Sequence, residues 1–295
     1  MRTAPDVPAP DRARVAPRGL QYMAAGAFFF SVMSLMVKLA GQRLPSQEIV
    51  LVRSLVMTVL AYTLLRRLDI PVLGTRRSLL VLRGVLGYGA ISCFYYAIVH
   101  LPLADATVLQ YTNPAFAAVF AIFVLGETMR LREIACVVLS LAGVLLVARP
   151  TFLFGAGAGL DPLAVTIGLA GAVLSAAAYV LVRMLGGEHH LVVILYFSAL
   201  SVIASVPATA ANPVMPGPVE WLLLTGIGGV THLGQVFMTR GLHLERAGRA
   251  TATGLVQIVF AAVWGALVFA QFPDAWGVAG GTLVVLGVLL LGRTA

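Results

Sequence analysis

The chain has 295 residues, of which 60% are hydrophobic and 11% are charged, and its mean hydropathy of +0.96 lies outside the range of soluble globular proteins. This composition predicts an integral membrane protein and excludes a separate soluble domain, a collagen and a disordered chain. The formal net charge of +8 comes from arginines placed between apolar runs and in one tail, which is typical of membrane topology signals and not of nucleic-acid binding.

The first 18 residues hold four prolines and four arginines but no long apolar run, which predicts a disordered cytoplasmic tail over residues 1–18. Apolar stretches of about 17 to 25 residues follow, and each ends at a charge, a proline or a glycine cluster. Because a membrane-crossing helix needs about 20 residues, these stretches predict an all-α integral membrane protein with ten transmembrane helices. The predicted helices are Gly19–Ala40, Ser46–Leu65, Ser78–Val99, Leu103–Leu125, Leu131–Val147, Pro162–Leu185, His190–Ala210, Val219–Leu242, Ala247–Ala270 and Pro273–Gly292.

The basic residues divide unevenly between the two sides that ten spans create. Of the twenty lysines and arginines, fourteen fall on the side of the N-terminus, three on the other side and three within spans. Short loops rich in arginine stay in the cytoplasm. The asymmetry therefore predicts that both chain ends lie in the cytoplasm. We expect a multi-pass protein of the bacterial cytoplasmic (inner) membrane.

The two halves of the chain resemble each other at a nearly constant spacing. Ala117-Ala118-Val119 recurs as Ala261-Ala262-Val263, and Gly143-Val144-Leu145-Leu146 recurs as Gly287-Val288-Leu289-Leu290, both at an offset of 144 residues (261 − 117 and 287 − 143). These matches predict a first repeat over residues 19–150 and a second over residues 161–293. Because each unit holds an odd number of helices, five, the second copy is expected to enter the membrane inverted, as in many secondary transporters.

One segment of the first half carries a recognisable pattern. An aromatic-rich helix, a Y-x-x-P helix and a G-E turn follow one another at Tyr95, Tyr96, Ala106, Tyr111, Pro114, Gly126 and Glu127. Together with Lys38 at the end of the first helix and Arg53 in the second, this pattern resembles the repeat of the drug/metabolite transporter (DMT) superfamily, EamA family. The second half departs from it where Ala270-Gln271 stands in place of the family's G-E.

The resemblance covers nearly the whole chain from about Gly19, and it implies two inverted five-helix repeats of the DMT/EamA-type fold. It also implies a secondary transporter that works by alternating access. Within the superfamily, a ten-span chain of this length is similar to the YddG-type exporters of aromatic amino acids. The resemblance therefore favours export of small metabolites, above all aromatic or other neutral amino acids.

Polar residues in the middle of spans are candidates for a solute site, because a polar group that faces lipid is costly. Spaced along their helices, they can line one shared, uncharged cavity at mid-depth. Phenols, amides and an indole suit a neutral or zwitterionic solute with an apolar or aromatic side chain. The alternative is helix packing, in which such groups join neighbouring helices. The predicted substrate-binding residues are Tyr88, Ser92, Tyr95, Gln110, Asn113, Tyr179, His232, Gln235, Gln257 and Trp264.

Four further residues are predicted to serve structure or gating. Lys38 ends the first span, as an interfacial anchor does, and Pro114 is expected to bend the fourth span beside the cavity. Glu127 closes a short turn. Arg53 lies about 10 Å inside the second span, where it either pairs with Glu48 or steers a substrate carboxylate.

The twelve acidic residues lie in the tail, in loops or at span ends, whereas ion-driven carriers bury carboxylates on the ion path. This placement favours facilitated, uncoupled transport, with a proton-coupled antiporter using His232 as the alternative. The sequence offers neither catalytic residues nor a channel filter, so an intramembrane enzyme and a channel are the less favoured alternatives, and no cofactor or metal is expected.

Cys93 and Cys136 are read as core residues. Gly277 and Gly281 suggest a helix contact within or between subunits, which leaves monomer and homodimer open.

Overall fold

The chain forms a bundle of helices. A computed structural model describes residues 16–101, 108–148, 161–211, 213–269 and 274–293. Within these residues there is no strand, and short turns connect the helices. The helices are Ala16–Ala40, Ser46–Arg67, Arg77–His100, Asn113–Leu125, Leu131–Ala148, Pro162–Met184, His190–Ala211, Pro218–Leu244, Ala247–Gly254, Gln257–Phe269 and Ala275–Arg293.

These helices form ten spans. Eight helical segments are long and apolar enough to cross a membrane, and the helices Leu131–Ala148 and Ala275–Arg293 complete the set. The predicted all-α membrane protein with ten transmembrane helices is therefore confirmed. Of the positions that the sequence singled out, Ala106, Ala270 and Gln271 lie outside the described residues, as do residues 1–15 of the predicted tail.

The two halves pack against each other in a pattern that is preserved when they exchange places. The most extensive contacts join the first span to the eighth, the third to the sixth, the second to the seventh and the fifth to the tenth. Each of these contacts joins one half to the other. When every span is exchanged with its counterpart in the other half, the contact between the first and eighth spans becomes the contact between the sixth and third, and the other two contacts are unchanged. The packing agrees with the predicted pair of inverted five-helix repeats.

Small residues allow the closest of these helix contacts. A Cβ added at Gly143 of the fifth span would lie 2.5 Å from the carbonyl oxygen of Gly280, and one added at Gly280 would lie 2.6 Å from that of Gly143. Backbone contact of this kind is how helices pack tightly in lipid. The contact uses Gly280 and not the adjacent Gly281, whose added Cβ would come no closer than 4.0 Å to Val259.

The fourth and ninth spans are each broken in the middle. The fourth turns at residues 111–112 and resumes as the helix Asn113–Leu125, and the ninth turns at residues 255–256 and resumes as the helix Gln257–Phe269. Both resumed helices contain 13 residues, and they start 144 residues apart (257 − 113), which is the offset of the sequence repeat. The predicted fourth and ninth spans are therefore present, but each consists of two helical segments and not of one continuous helix.

Different residues cause the two breaks. Pro114 stands in the first turn of the resumed fourth-span helix, where its ring and its missing N–H prevent continuation from the preceding turn. In the ninth span Gly254 ends the first half. The amides of Leu255 and Val256 then donate to carbonyls three residues back, at 3.1 and 3.2 Å, which is the tighter geometry of a 3₁₀ turn.

Candidate functional site

A small cavity lies between the two repeats at the level of both helix breaks. Its volume is about 60 Å³, and residues of the first, fourth, sixth, eighth and ninth spans line it. These residues are Met23, Ala27, Phe30, Tyr111, Asn113, Tyr179, Met238, Thr251, Gly254, Leu255 and Gln257. In membrane carriers, broken helices of this kind form binding sites near the middle of the bilayer.

The two broken spans present the same chemical group to this cavity. Asn113 and Gln257 are each the first residue of a resumed helix, both carry a carboxamide, and both line the cavity. The Gln257 Nε2 donates to the Ser34 Oγ at 3.5 Å. With the phenols of Tyr111 and Tyr179, the carboxamides give the cavity a polar lining that contains no charged side chain. Such a lining can form hydrogen bonds with a solute without fixing the sign of its charge.

The cavity is contracted in this conformation. Small-molecule sites typically enclose about 300 to 1,000 Å³. The cavity volume of about 60 Å³ is well below that range. The cavity is lined by uncharged side chains, and a solute the size of an amino acid would need a wider form of it.

Contacts between the repeats close the bundle on one side of the cavity. The Arg183 Nε donates to the Glu127 Oε1 at 3.0 Å, and the Ala247 N–H donates to the Glu127 Oε2, also at 3.0 Å. One carboxylate of the first repeat thus holds the end of the sixth span and the start of the ninth. We call this side the arginine-rich end, and it carries Arg66, Arg67, Arg76, Arg77, Arg130, Arg132, Arg183, Arg246 and Arg249.

The opposite end is closed by a different set of contacts between the repeats. Arg43, in the turn after the first span, lies 2.8 Å from the Glu220 Oε1 and donates to the carbonyl of Met215 at 2.6 Å. The Val214 N–H donates to the Glu48 carboxylate at 3.3 Å. Arg43 is 58% exposed, so solvent weakens this ion pair. The closure of this end is therefore electrostatically weaker than that of the arginine-rich end.

Three of the predicted substrate-binding residues, Asn113, Tyr179 and Gln257, meet at the cavity. Tyr95 belongs to the third span, but its side chain lies outside the described part of the structure. The predicted residues that do not line the cavity are Tyr88, Ser92, Gln110, His232, Gln235 and Trp264.

Tyr88 and Trp264 join helices away from the cavity. The Tyr88 hydroxyl donates to the carbonyl of Ala204 in the seventh span at 3.0 Å. The Trp264 Nε1 donates to the Ser31 Oγ in the first span, also at 3.0 Å. Each polar group is satisfied by a neighbouring helix, which is the packing alternative that the sequence left open.

Four other predicted residues are buried or half-buried between helices. His232 is 4% exposed and Gln235 9% exposed, and both ring nitrogens of His232 lack a hydrogen-bond partner, as do the Ser92 Oγ and the Gln110 Oε1. Gly228, one turn before His232, packs against the second span. Gly228 and His232 therefore lie on the face of the eighth span that is turned toward the second span, which explains why His232 is not at the cavity.

The residues predicted for structure or gating lie at different depths. Lys38 is exposed in the last turn of the first span, whereas Arg53 is buried in the second, its carbonyl 3.2 Å from where a Cβ at Gly228 would stand. Pro114 is at the fourth-span break. Glu127 does more than close its turn, because it also joins the two repeats.

A buried ionic network at the arginine-rich end was not singled out from the sequence. Glu133, 1% exposed, lies 3.6 Å from the Arg249 Nε and 3.7 Å from the Arg246 Nη1. The Arg249 Nη1 lies 3.5 Å from Glu245, and its Nη2 donates to the carbonyl of Leu291 at 2.9 Å. This network ties the fifth, ninth and tenth spans together. Its signal in the sequence is the i, i+4 spacing of Glu245 and Arg249.

Arg83 is a second charged residue whose importance the sequence did not reveal. It lies about 9 Å inside the third span, is 3% exposed, and its guanidinium carbon is 4.5 Å from the centre of the Phe197 ring. A desolvated cation–π contact contributes about 2 kcal/mol, but it supplies no hydrogen-bond acceptor for the guanidinium. The Nε and Nη1 have no hydrogen-bond partner, so the Phe197 ring alone does not compensate this charge.

Histidines gather at the arginine-rich end. The ring centres of His189 and His190 are 4.2 Å apart, and the Arg240 Nη2 lies 3.2 Å from the His190 Nε2. Burial and the Arg240 charge lower the pKa of His189, which precedes the seventh span. Within the described residues, no three His, Cys, Asp or Glu side chains are arranged to hold a metal ion.

A larger groove of about 480 Å³ runs between the ninth and tenth spans. Its lining is apolar apart from Thr282, and the lining residues Leu267 and Val278 are 71% and 56% exposed. In a bilayer such a surface contacts lipid chains. The groove offers few hydrogen bonds to a polar solute, so the central cavity is the better candidate site.

Comparison with known proteins agrees with this architecture. The family model described as "EamA-like transporter family" matches residues 17–149 and 162–293. A solved crystal structure with 20% sequence identity has a TM-score of 0.78 and covers 94% of this chain and 98% of its own, which supports the fold alone.

Three curated relatives are similar to this chain over most of their length. The pseudopaline exporter CntI of Pseudomonas aeruginosa is 36% identical over 94% of this chain and 96% of its own length. Human solute carrier family 35 member G1 is 32% identical over 96% of this chain and 80% of its own length. The S-adenosylmethionine uptake transporter of Rickettsia prowazekii is 21% identical over 88% of this chain and 87% of its own length.

Proposed function

The chain belongs to the EamA-like transporter family and is a secondary transporter of small metabolites, and from that premise we propose that it exports its solute across the bacterial cytoplasmic membrane by alternating access. The chemistry is binding and release, not catalysis. The export direction, the solute class and the coupling are argued below from the described residues.

The observation that carries the proposal is the symmetry of the two broken spans. Both breaks meet at one cavity, and equivalent carboxamides, Asn113 and Gln257, face it from the two repeats. Because the repeats are inverted, a motion that opens one end of the bundle has a counterpart that opens the other. The contacts at Glu127 and Arg43 hold the two ends closed in this conformation and have to break in turn.

The arginine distribution supports the proposed sidedness. Nine of the twenty basic residues lie at the arginine-rich end, in or beside its short loops, and short loops with this composition stay in the cytoplasm. Both chain ends are then cytoplasmic. Among the relatives, the pseudopaline exporter supports export. The S-adenosylmethionine transporter works in uptake, so the direction of transport has to be measured for this chain.

The lining favours a neutral or zwitterionic solute, and we propose a neutral amino acid, aromatic ones included. The carboxamides of Asn113 and Gln257 can hydrogen-bond to polar groups of the solute, while Met23, Phe30 and Met238 offer apolar contact. The relatives reported above include an exporter of pseudopaline and do not support the predicted resemblance to YddG-type exporters, so the proposal of an aromatic solute rests on the chemistry of the lining.

We propose facilitated transport without ion coupling, because no carboxylate lines the cavity. His232 favours a second candidate, a proton-coupled antiporter. It is buried and neither of its ring nitrogens has a hydrogen-bond partner, so it is the residue to replace if a proton gradient accelerates transport.

Counterflow in proteoliposomes tests the proposal. The full chain is reconstituted, the vesicles are preloaded with one unlabelled amino acid, and the entry of its labelled form is followed with and without a pH gradient. We expect saturable entry for at least one neutral amino acid, stimulated by preloading and unaffected by the gradient.

Two results would contradict this scheme. If no neutral amino acid shows saturable counterflow, the proposed solute class is wrong. If a proton gradient accelerates entry and His232→Gln abolishes that acceleration, the antiporter replaces uncoupled export. Tyr88→Phe is the matched control, because Tyr88 is a polar span residue away from the cavity.

A further inference from the structure

The Arg83 side chain extends toward the middle of the bundle. Side chains on a helix lean toward its N-terminus, and the N-terminus of the third span is at the arginine-rich end. A guanidinium serving only as an interfacial anchor would lean in that direction and reach water. Instead, the Arg83 Nη1 lies beside Gly87, one turn deeper in the span, where a Cβ would overlap with it.

The surroundings of Arg83 are shaped to hold a guanidinium. Gly87 leaves the space that the group occupies, and an added Cβ there would also lie 2.8 Å from ring atoms of Phe197. The Phe197 ring covers the group from the seventh span. The Phe197 ring has no lone pair to accept a hydrogen bond, and the Arg83 Nε and Nη1 are buried without a hydrogen-bond partner. The pocket therefore holds a positive charge with two unsatisfied donors.

The described residues supply no counter-charge for Arg83. The described ion pairs of Glu127, Glu133, Glu220 and Glu245 are made with other arginines, and Arg83 makes none among them. A buried charge without a partner is strongly unfavourable. An intramembrane arginine in this position is accordingly expected to meet an anion during function.

Tyr179 connects this pocket to the central cavity. Tyr179 lines the cavity and is close enough to Arg83 for an electrostatic interaction. The third span, which carries Arg83, packs against the sixth, which carries Tyr179, and against the seventh, which carries Phe197. Tyr179 is therefore the described residue that links Arg83 to the cavity.

We propose that Arg83 receives a carboxylate of the transported solute. The proposal rests on the proposed function and deepens it, because it requires that the solute carries this anionic group. A guanidinium can donate two parallel hydrogen bonds to one carboxylate, which gives orientation as well as attraction. The neutral lining then contacts the rest of the solute, and Arg83 selects the acid over its amide.

The test compares each acid with its amide. Detergent-purified full-length protein is heated with phenylalanine, leucine or histidine and, separately, with phenylalaninamide, leucinamide or histidinamide, and the shift in Tm gives the apparent affinity of each compound. We expect at least one acid to bind the wild-type protein at least about tenfold more tightly than its amide, as a charge-assisted pair would allow.

Arg83→Gln is expected to reduce this acid preference about tenfold while leaving amide binding unchanged, and Arg83→Lys to keep part of it. Retained amide binding shows that a variant is folded. Arg240→Gln removes an exposed span arginine and is the matched control. Gly87→Ala keeps Arg83 but fills its place, so we expect the same loss, whereas Gly229→Ala, with nothing within 4 Å of its added Cβ, should change little.

The outcomes separate this proposal from the proposed function. If wild-type protein prefers no acid over its amide, or if Arg83→Gln keeps the preference, Arg83 is not the carboxylate site. If the preference depends on Arg83 but counterflow is absent, the site stands and the proposed transport of amino acids fails. If counterflow occurs but Arg83→Gln transports acids as the wild-type protein does, the proposed transport stands and the proposed role of Arg83 fails.

Discussion

The Glu127 carboxylate and the Arg183 guanidinium join the two repeats across the arginine-rich end, with 3.0 Å between Oε1 and Nε. Both groups are largely shielded, at 14% and 27% exposure, and the second Glu127 oxygen accepts the N–H of Ala247. At the repeat offset of 144, the residue equivalent to Glu127 is Gln271, which lies outside the described residues. The sequence thus provides this carboxylate at one end only.

We expect Glu127→Gln to open the arginine-rich end more often. Glutamine keeps an oxygen for Ala247 but loses the charge opposite Arg183, and a hydrogen bond between charged groups contributes about 1.5 to 3 kcal/mol. In a background without Cys93 and Cys136, a cysteine at Thr251 reports opening through its rate of labelling by a membrane-impermeant thiol reagent. The rate from the arginine-rich end should rise about tenfold.

The control for that experiment is Arg43→Gln at the opposite end. This change should raise labelling only from the opposite side, and by less, because the Arg43 side chain is mostly exposed and exposed pairs contribute about 0 to 1 kcal/mol. Equal labelling of Glu127→Gln and wild-type protein would show that the Glu127 contact does not control opening.

Asn113 and Gln257 are predicted to contribute equally to solute affinity. They occupy equivalent positions at the cavity, so replacing either carboxamide by leucine removes the same kind of hydrogen bond. We expect Asn113→Leu and Gln257→Leu each to raise the KM of counterflow about tenfold, as loss of about 1.5 kcal/mol requires. A loss confined to one of the two variants would contradict a shared symmetric site.

Tyr88→Phe should affect stability but not transport. The variant loses the hydrogen bond from the Tyr88 hydroxyl to the Ala204 carbonyl, and such bonds between membrane helices contribute about 0.6 to 2 kcal/mol. The Tm of the purified protein is expected to fall by a few degrees while the KM of counterflow stays unchanged. A raised KM with an unchanged Tm would instead place Tyr88 in the solute site.

Glu133→Gln should strongly destabilise the protein. Glu133 is almost fully buried against Arg249 and Arg246, and removing one partner of a buried ion pair costs about 3 to 5 kcal/mol because the other charge is left uncompensated. Glu220→Gln, at the exposed pair with Arg43, is the matched control and should cost about 1 kcal/mol or less. Denaturation of both variants in the same detergent gives the comparison.

The loop after the sixth span should stabilise the protein only above acidic pH. Burial raises the pKa of the Glu188 carboxyl, but hydrogen bonds from the Thr75 hydroxyl and from the Thr75 and Arg76 amides outweigh burial, so this pKa lies below its ordinary value of 4.5. A lowered folded-state pKa means that the contribution is complete above pH 4.5 and is lost as pH falls through the folded value.

The measurement is the difference in Tm between wild-type protein and Glu188→Gln across pH 3 to 7. Comparing the two proteins removes the contribution of His189, which titrates in both. The difference should be constant above about pH 4.5 and shrink below it. A difference that grows on acidification would mean that the charged form of Glu188 does not make these contacts.

Much of the fold follows from the sequence because its signals are local. A run of about 20 apolar residues is sufficient to specify a span, so the bounds of the helices are predicted closely. The repeat offset of 144 also predicts which spans are equivalent. Pro114 marks the break in the fourth span, whereas the ninth span breaks after Gly254 without a proline, and a single glycine in an apolar run is too weak a signal to predict a break.

The assignment of residues to the site depended on the tertiary structure. In a soluble helix the apolar face identifies the core, but in a bilayer the lipid-facing and packed faces are both apolar, so periodicity does not reveal how a span is rotated. That rotation is set by close contacts such as Gly228 against the second span. It brings Tyr179 to the cavity and takes His232 away from it, and it places the Arg83 charge among groups that cannot neutralise it.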